Sequence, residues 1–157
     1  MRILGIDPGF DRLGVAVIEK TSSRPTLVWS TCVEPPKGSV EKRLFEVFTA
    51  IRLAIEMHAP DAVATETLFF STNKKTALQV AEARGALLTA VGQSGLPLYE
   101  YTPNQVKLAV TGYGNADKAA VLKMVQQLIV LDAGMKKDDE IDAIAIALTC
   151  LASTSSR

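Results

Sequence analysis

Four acidic residues in this sequence could do chemistry together if the fold brings them close. Asp7 and Glu66 each follow a short apolar run that predicts a β-strand. In open α/β sheets the carboxyl ends of the strands form the crevice where ligands bind, so neighbouring strands would hold these two carboxylates side by side. Asp139 and Asp142 have the spacing that places two side chains on one face of a helix.

Each acid also has a purely structural explanation. Asp7 precedes a Pro-Gly pair, and aspartate is common in such turns. Asp138 and Asp139 begin the last predicted helix, where acidic side chains accept hydrogen bonds from free amides and favour the positive end of the helix dipole. Capping explains Asp142 less well, because it lies farther along an otherwise apolar helix. For single residues both interpretations stay open.

Taken as a set, the four acids predict a site for divalent cations. Carboxylates meeting at one sheet edge would repel one another strongly unless cations were bound. Their hard oxygen ligands favour magnesium or manganese, and two such ions can activate a water and stabilise the leaving oxygen in phosphodiester hydrolysis. This chemistry requires no histidine, cysteine or serine nucleophile. The one histidine, His58, ends a predicted helix, where a surface or capping role is expected.

Hydrophobic periodicity predicts the elements that must position these acids. The predicted strands are Arg2–Ile6, Leu13–Ile18, Thr26–Val33, Asp61–Thr65 and Pro97–Tyr101. The predicted helices are Val40–His58, Thr76–Val91, one that begins at Thr102 and Pro103, one capped by Asn115 that reaches about Val130, and one from Asp138 to about Leu151. Three strands followed by alternating strands and helices indicate an α/β layer fold, with an antiparallel meander and parallel first, fourth and fifth strands.

Length and composition narrow the class of protein. A chain of 157 residues fits one domain, which we place at residues 1–152 with a flexible tail at residues 153–157. No apolar stretch is long enough for a membrane span and no signal-peptide pattern begins the chain, so we predict a cytoplasmic protein without a membrane partner. Cys32 and Cys150 lie far apart without metal-site spacing, which predicts two buried, reduced thiols.

Net charge is neutral, since 17 Lys and Arg balance 17 Asp and Glu. A nucleic-acid-binding protein more often carries a positive excess, so the balance argues weakly against a DNA partner. A local basic patch around a metal-neutralised acidic site would remove that objection, because binding depends on the charge of the contact surface.

Five motifs resemble those of one family in the same order over nearly the whole chain. They are GIDPG with GVAV, ATETLFF, AEARGALLTAV, EYTPNQVKLAVTGYGNADK and DDEIDAIAIALT. Together they resemble the RuvC-type Holliday-junction resolvases, and VKLAVTGYGNADK with the D-x-x-D-A-I-A helix is the most specific part. The resemblance implies a ribonuclease-H-like fold with a five-stranded mixed sheet flanked by helices. It also implies a homodimeric endonuclease that resolves four-way DNA junctions by paired nicks and cooperates with a branch-migration motor.

The resemblance also assigns roles to residues. It makes Asp7, Glu66, Asp139 and Asp142 the catalytic ligands of two Mg²⁺ ions per site, with Mn²⁺ as an alternative, and it leaves Asp138 outside the pattern. It also makes Phe69 a base-stacking aromatic and places Lys107 and Lys118 near the scissile phosphate. Lys74, Lys75 and Arg84 are further candidate phosphate contacts, although a single surface lysine is more often only solvated.

The chain departs from the family pattern where Glu140-Ile141 replaces two small residues between the aspartates, which predicts a slightly shifted helix.

Three other functions remain open on the sequence. The YqgF-type RNA-processing nucleases share the opening motif but usually lack the VKLAVTGYG segment. The actin-like phosphate-binding fold also opens similarly, although it needs two lobes around a nucleotide. A junction-binding module without catalysis would function unchanged with Asp7→Asn, whereas the same substitution in a nuclease abolishes cutting and spares binding.

Overall fold

Five strands form one mixed sheet in the order β3-β2-β1-β4-β5. The computed structural model describes residues 1–21, 24–67, 74–129 and 137–154, the side chains of 74–76 excepted. The strands are β1 Arg2–Asp7, β2 Leu13–Glu19, β3 Thr26–Val33, β4 Ala62–Glu66 and β5 Leu98–Tyr101. The helices are α1 Val40–His58, α2 Lys74–Ser94, α3 Pro103–Thr111, α4 Lys118–Leu128 and α5 Asp138–Thr154.

Strand directions follow from the length of each connection. The short turns after β1 and β2 return the chain at once, and both of these pairs are antiparallel. Helices α1 and α2 carry the chain back across the sheet before β4 and β5, and those pairs are parallel. The predicted α/β fold with a five-stranded mixed sheet is therefore confirmed, including the antiparallel meander and the parallel strands.

One helix start was wrong in the sequence prediction. Asn115 does not cap α4, because Asp117 does: its side chain accepts a hydrogen bond of 2.8 Å from the backbone N–H of Ala120. Asn and Asp are equally good caps, and residue type alone cannot choose between them. The Ala116 N–H closes a turn on the Tyr113 carbonyl, so the chain turns once more before the helix begins.

Four helix ends, in three helices, also differ from the predicted bounds. The α4 helix ends at Leu128, short of the predicted Val130, while α2 covers two further residues before and three after the predicted Thr76–Val91. The last helix continues past Leu151 to Thr154, where Thr154 Oγ1 donates to the Cys150 carbonyl. The division into a domain at 1–152 and a tail at 153–157 stays a prediction.

Two apolar layers cover the sheet. Side chains of α1 and α2 pack with Leu4, Ile6 and Val63 on one face, whereas α3, α4 and α5 pack on the other. Helix α5 is buried along nearly its whole length from Glu140 to Leu151. A helix that is apolar all round must lie inside the fold, and α5 lies between the sheet and helices α3 and α4.

The sequence also led to predictions about the two cysteines and about membrane-spanning segments. Both cysteines are free thiols; Cys150 is buried as predicted, but Cys32 is only partly buried. Across the described part of the chain, no helix combines the length and the apolar character that a membrane crossing requires.

Candidate metal centre at the carboxyl ends of β1 and β4

Asp7 and Glu66 end two adjacent parallel strands. The register pairs Ile6 with Thr65, so the next residue of each strand is one of the two acids. Thr65 is fully buried, and its Oγ1 donates to the Ile6 carbonyl oxygen at 3.0 Å, which ties the strands together just before the acids. The expectation that these strands are neighbours is confirmed.

Two glycines let α5 bring its aspartates to the same place. A Cβ added to Gly14 would lie 1.9 Å from the carbonyl oxygen of Asp139, and one added to Gly5 would lie 2.2 Å from that of Ala143. Real atoms do not approach so closely, so only glycine permits this contact between helix and strands. The first turns of α5 therefore lie directly on β1 and β2, with Asp139 and Asp142 beside Asp7.

The pKa values of three acids show that they share one region. The pKa of Asp7 is raised from 3.8 to about 7, first by burial and then by the negative charges of Asp142, Glu66 and Asp139 in that order. Burial followed by the charge of Asp142 raises the pKa of Glu66. Burial also raises the pKa of Asp142, against the opposing effect of Lys118. The acids destabilise one another's charged forms, as the sequence analysis expected of carboxylates brought together.

A cavity of about 310 Å³ opens in front of three of the acids. Its charged lining residues are Asp7, Glu66, Asp142, Lys107 and Lys118. The Nζ atom of Lys118 lies 3.7 Å from Oδ2 of Asp142, and the charge of Lys107 lowers the pKa of Glu66. The site thus combines acids, which can hold cations, with two lysines, which can hold a phosphate.

The lysines are positioned by well-capped helices. Thr102 accepts from the Gln105 N–H while the Gln105 side chain accepts from the Thr102 N–H, which is a complete capping box at the start of α3. Pro103 occupies the first turn, as predicted. Lys107 follows one turn later, and Lys118 begins α4 directly after its Asp117 cap.

Asp139 lies outside the cavity lining and faces the β2 and β3 side. Its Oδ2 lies 3.7 Å from Nη1 of Arg12 and 3.8 Å from the Sγ of Cys32, which donates to it. Asp138 lines a separate shallow pocket with Lys118 and Asp142.

The donor set fits a hard divalent cation, although the side chains are not arranged as a finished chelate. Within the described residues, no three acidic, histidine or cysteine side chains are close enough to hold one ion. Asp139 and Asp142 each face a basic group across a long 3.7 Å contact instead. Such loose pairs exchange easily, and Asp7 lies buried beside three negative charges that a divalent cation would balance.

The comparison with protein families identifies the chain. The model of the family "Crossover junction endodeoxyribonuclease RuvC" matches residues 3–150. The RuvC protein of Thermosipho melanesiensis is 45% identical over 153 residues, covering 97% of each chain. That of Desulfitobacterium hafniense is 46% identical over 149 residues, covering 94% of this chain and 90% of the relative. The chain belongs to the RuvC family.

Solved structures agree with this assignment. The RuvC of Thermus thermophilus superimposes with a TM-score of 0.90 at 32% identity, covering 99% of this chain and 96% of the other. A structure of the same RuvC in complex with Holliday junction substrate gives a TM-score of 0.92. The YqgF alternative is not favoured, because the matching family model and the relatives named above are RuvC.

Four further residues were predicted to contact DNA, Phe69 from the family resemblance and three basic residues as candidate phosphate contacts. Phe69 lies outside the described residues, as do the side chains of Lys74 and Lys75 at the start of α2. The Arg84 guanidinium is mostly buried and paired with Glu100. None of these four candidates gains or loses support as a DNA contact. His58 stacks on Trp29 with ring centroids 4.9 Å apart, at the opposite edge of the sheet from the acids.

Two residues near the acids, Glu140 and Arg12, make contacts that were not predicted from the sequence. The buried Glu140, noted only as a departure from the RuvC pattern, accepts from Ser30 Oγ at 2.7 Å and from the Lys137 N–H at 3.3 Å. A glutamate at the third helical position is the signal of a capping box and could have indicated the second bond. Arg12 was also missed; its position shortly after Asp7, in a turn beside the predicted crevice, was the available signal.

Proposed function

We propose that this chain resolves four-way DNA junctions by making paired nicks in two strands. The observation that carries the proposal is the meeting of Asp7, Glu66 and Asp142 in one cavity with Lys107 and Lys118, with Asp139 beside it. Acids that hold cations next to lysines that hold a phosphate are the parts that phosphodiester hydrolysis needs. Membership of the RuvC family and the likeness to a RuvC in complex with Holliday junction substrate indicate the junction as the substrate.

The proposed cofactor is Mg²⁺, two ions per site, with Mn²⁺ as an alternative. Asp7, Glu66, Asp139 and Asp142 would hold the ions, which when bound supply an activated water and stabilise the leaving oxygen. Asp7 is influenced by the charges of all three others, so it would be the central acid of the ligand set. Oxygen-only donors select these metals over zinc or copper.

The basic residues have a separate proposed role. Lys107 and Lys118 line the same cavity as the acids, so each can contact a phosphate held there. The long Lys118–Asp142 contact keeps the ammonium group at the cavity while leaving it exposed to a ligand. Phe69 remains part of the proposal as a base-stacking aromatic through family resemblance, and Lys74, Lys75 and Arg84 remain part of it as candidate phosphate contacts.

A homodimer would give the two active sites that paired nicks require. A two-fold protein matches the two-fold symmetry of a four-way junction. Helices α1 and α2 expose large apolar side chains that a second copy could cover, among them Phe45, Met57 and Leu78, each 64% exposed. We further propose a cytoplasmic location, where such DNA is found, and cooperation with a branch-migration motor.

Cleavage assays on matched substrates test this function. We expect wild-type protein with MgCl₂ to nick synthetic four-way junctions in symmetric pairs and to leave duplex DNA and structured RNA intact. Asp7→Asn should bind the same junctions and fail to nick them, which separates a nuclease from a binding module. Cleavage of RNA alone, or nicking that survives in Asp7→Asn, would overturn the proposal.

A further inference from the structure

Arg12 extends the basic surface to the other side of the acids. Arg12 immediately precedes β2. Lys107 lies near Glu66 at the end of β4, because its charge lowers the pKa of Glu66. Strand β1, with Asp7, lies between β2 and β4 in the sheet. Arg12 and Lys107 are therefore on opposite sides of the central carboxylate, so a DNA strand that crosses the acids would meet a cation on each side.

The backbone of Arg12 is firmly held. A Cβ on Gly9 would lie 2.1 Å from the Arg12 carbonyl oxygen, so the turn closes tightly on itself. Arg43 of α1 also holds the turn in place. Its Nη2 donates to the Phe10 carbonyl at 2.9 Å and pairs with Asp11 at 2.7 Å. The guanidinium of Arg43 also lies over the Phe10 ring at 4.2 Å. The position from which the Arg12 side chain projects is thus fixed.

The side chain itself is held loosely. It is 58% exposed, and its two ion pairs, Nη1 to Asp139 and Nε to Glu34, are both 3.7 Å long. Glu34 already has a stronger partner in Lys137, whose Nζ donates to it at 2.6 Å. Charge-assisted hydrogen bonds that define a structure are much shorter than 3.7 Å, and exposed pairs of this length contribute little. Folding therefore does not explain why an arginine stands here.

We propose that Arg12 binds a backbone phosphate of the junction on the β2 side of the acids, and that it lies on Asp139 only while no cation is bound there. A cation at Asp139 removes the negative charge that attracts the guanidinium, which leaves its planar fork free for a phosphate. The inference rests on the proposed function and adds a residue to its DNA-binding surface.

Two effects of opposite sign follow for Arg12→Ala. Loss of a phosphate contact weakens junction binding and lowers the slope of log affinity against log salt by about 0.9. Release of Asp139 from its competing partner lowers the Mg²⁺ concentration that half-saturates the free protein. A residue that only stabilises the fold would produce neither effect.

The test compares Arg12→Ala and Arg12→Lys with Lys20→Ala, which removes a cation at the far end of the same strand. Junction binding is measured over a range of KCl, once with EDTA and once with CaCl₂. Metal binding without DNA is read from the Mg²⁺ dependence of thermal unfolding.

With CaCl₂ we expect Arg12→Ala to bind several-fold more weakly with the lower salt slope, Arg12→Lys to retain most of the affinity, and Lys20→Ala to match wild type. With EDTA, the difference between Arg12→Ala and wild type should shrink, because Asp139 then holds the wild-type guanidinium. Wild-type affinity and slope for Arg12→Ala with CaCl₂ would overturn the inference, as would an unchanged Mg²⁺ midpoint. If wild-type protein neither binds nor nicks junctions, the proposed function itself fails.

Discussion

Charged side chains have opposite roles at the two edges of the sheet, the one where β1 begins and the one where β1 ends. At the edge where β1 begins, Arg2 lies 3.2 Å from Glu19 and donates to the His58 carbonyl at 2.5 Å, and its backbone N–H donates to Asp61 at 2.7 Å. At the edge where β1 ends, four acids gather, and their contacts with basic groups are 3.7 Å long. One edge uses charge to hold strands and a helix together, while the other keeps repulsion that a cation can relieve.

The difference indicates where the chain gives up stability for function. Raised pKa values at Asp7, Glu66 and Asp142 mean that ionising these groups destabilises the folded state. Strain of this kind concentrates at functional sites and persists because the surrounding structure is strong enough to hold it. Here the surrounding structure is the buried helix α5, seated on Gly5 and Gly14.

The largest effect on this comparison is expected from Gly14→Ala. The new methyl group would meet the Asp139 carbonyl oxygen, so α5 must move away from the sheet or β2 must distort. We expect a loss of about 3 kcal/mol in the free energy of unfolding, measured with urea, and loss of junction nicking in protein that still folds. Gly92→Ala is the matched control, because a Cβ there meets nothing within 4 Å. Equal stability of the two variants would show that α5 does not depend on the close contact.

A smaller effect concerns the pH dependence of stability without metal. The folded-state pKa of Asp7, about 7, lies above its ordinary value of 3.8, so the folded protein retains this proton between these values while the unfolded chain loses it. The contribution of Asp7 is therefore fully present below about pH 4 and disappears as pH rises through 7. With EDTA present, the free energy of unfolding of Asp7→Asn should rise relative to that of wild type as the pH increases. The rise from about pH 5 to pH 8 should be on the order of 2 kcal/mol.

Urea unfolding of both proteins at several pH values measures this gain, since acids shared by the two cancel in the difference. Added MgCl₂ should remove most of the wild-type loss at high pH and leave Asp7→Asn unaffected. A constant difference between the two proteins across pH would mean that Asp7 is not destabilised by ionisation.

The smallest effect should come from the opposite edge. Arg2→Ala removes the contacts with Glu19 and the His58 carbonyl but retains the backbone bond to Asp61. We expect a loss of about 1 kcal/mol in stability, with junction nicking and Mg²⁺ dependence unchanged. A change in the Mg²⁺ dependence of nicking would mean that the edge with Arg2 also affects the acidic site, so the two edges would not be independent.

The sequence was sufficient for the parts of the site that depend on local pattern. Asp7 and Glu66 could be paired because apolar runs predict strands and parallel strands end at one edge, and Asp139 and Asp142 because helical spacing is regular. The mixed sheet followed from the same patterns.

What could not be predicted depends on contacts between distant elements. No local pattern says that Gly14 lies too close to the Asp139 carbonyl to carry a side chain, or that Arg12 lies beside Asp139. The α4 cap was misplaced for a related reason: Asn115 and Asp117 have equal capping ability, and the turn closed by Ala116 on Tyr113 decides between them.

Calorimetric titration of Mg²⁺ into the protein without DNA tests the central claim, that distant acids form one cation site. We expect saturable binding by the wild-type chain, affinity weakened by more than about tenfold in Asp7→Asn, and wild-type affinity in Arg2→Ala. Equal Mg²⁺ affinity in wild type and Asp7→Asn would contradict the claim.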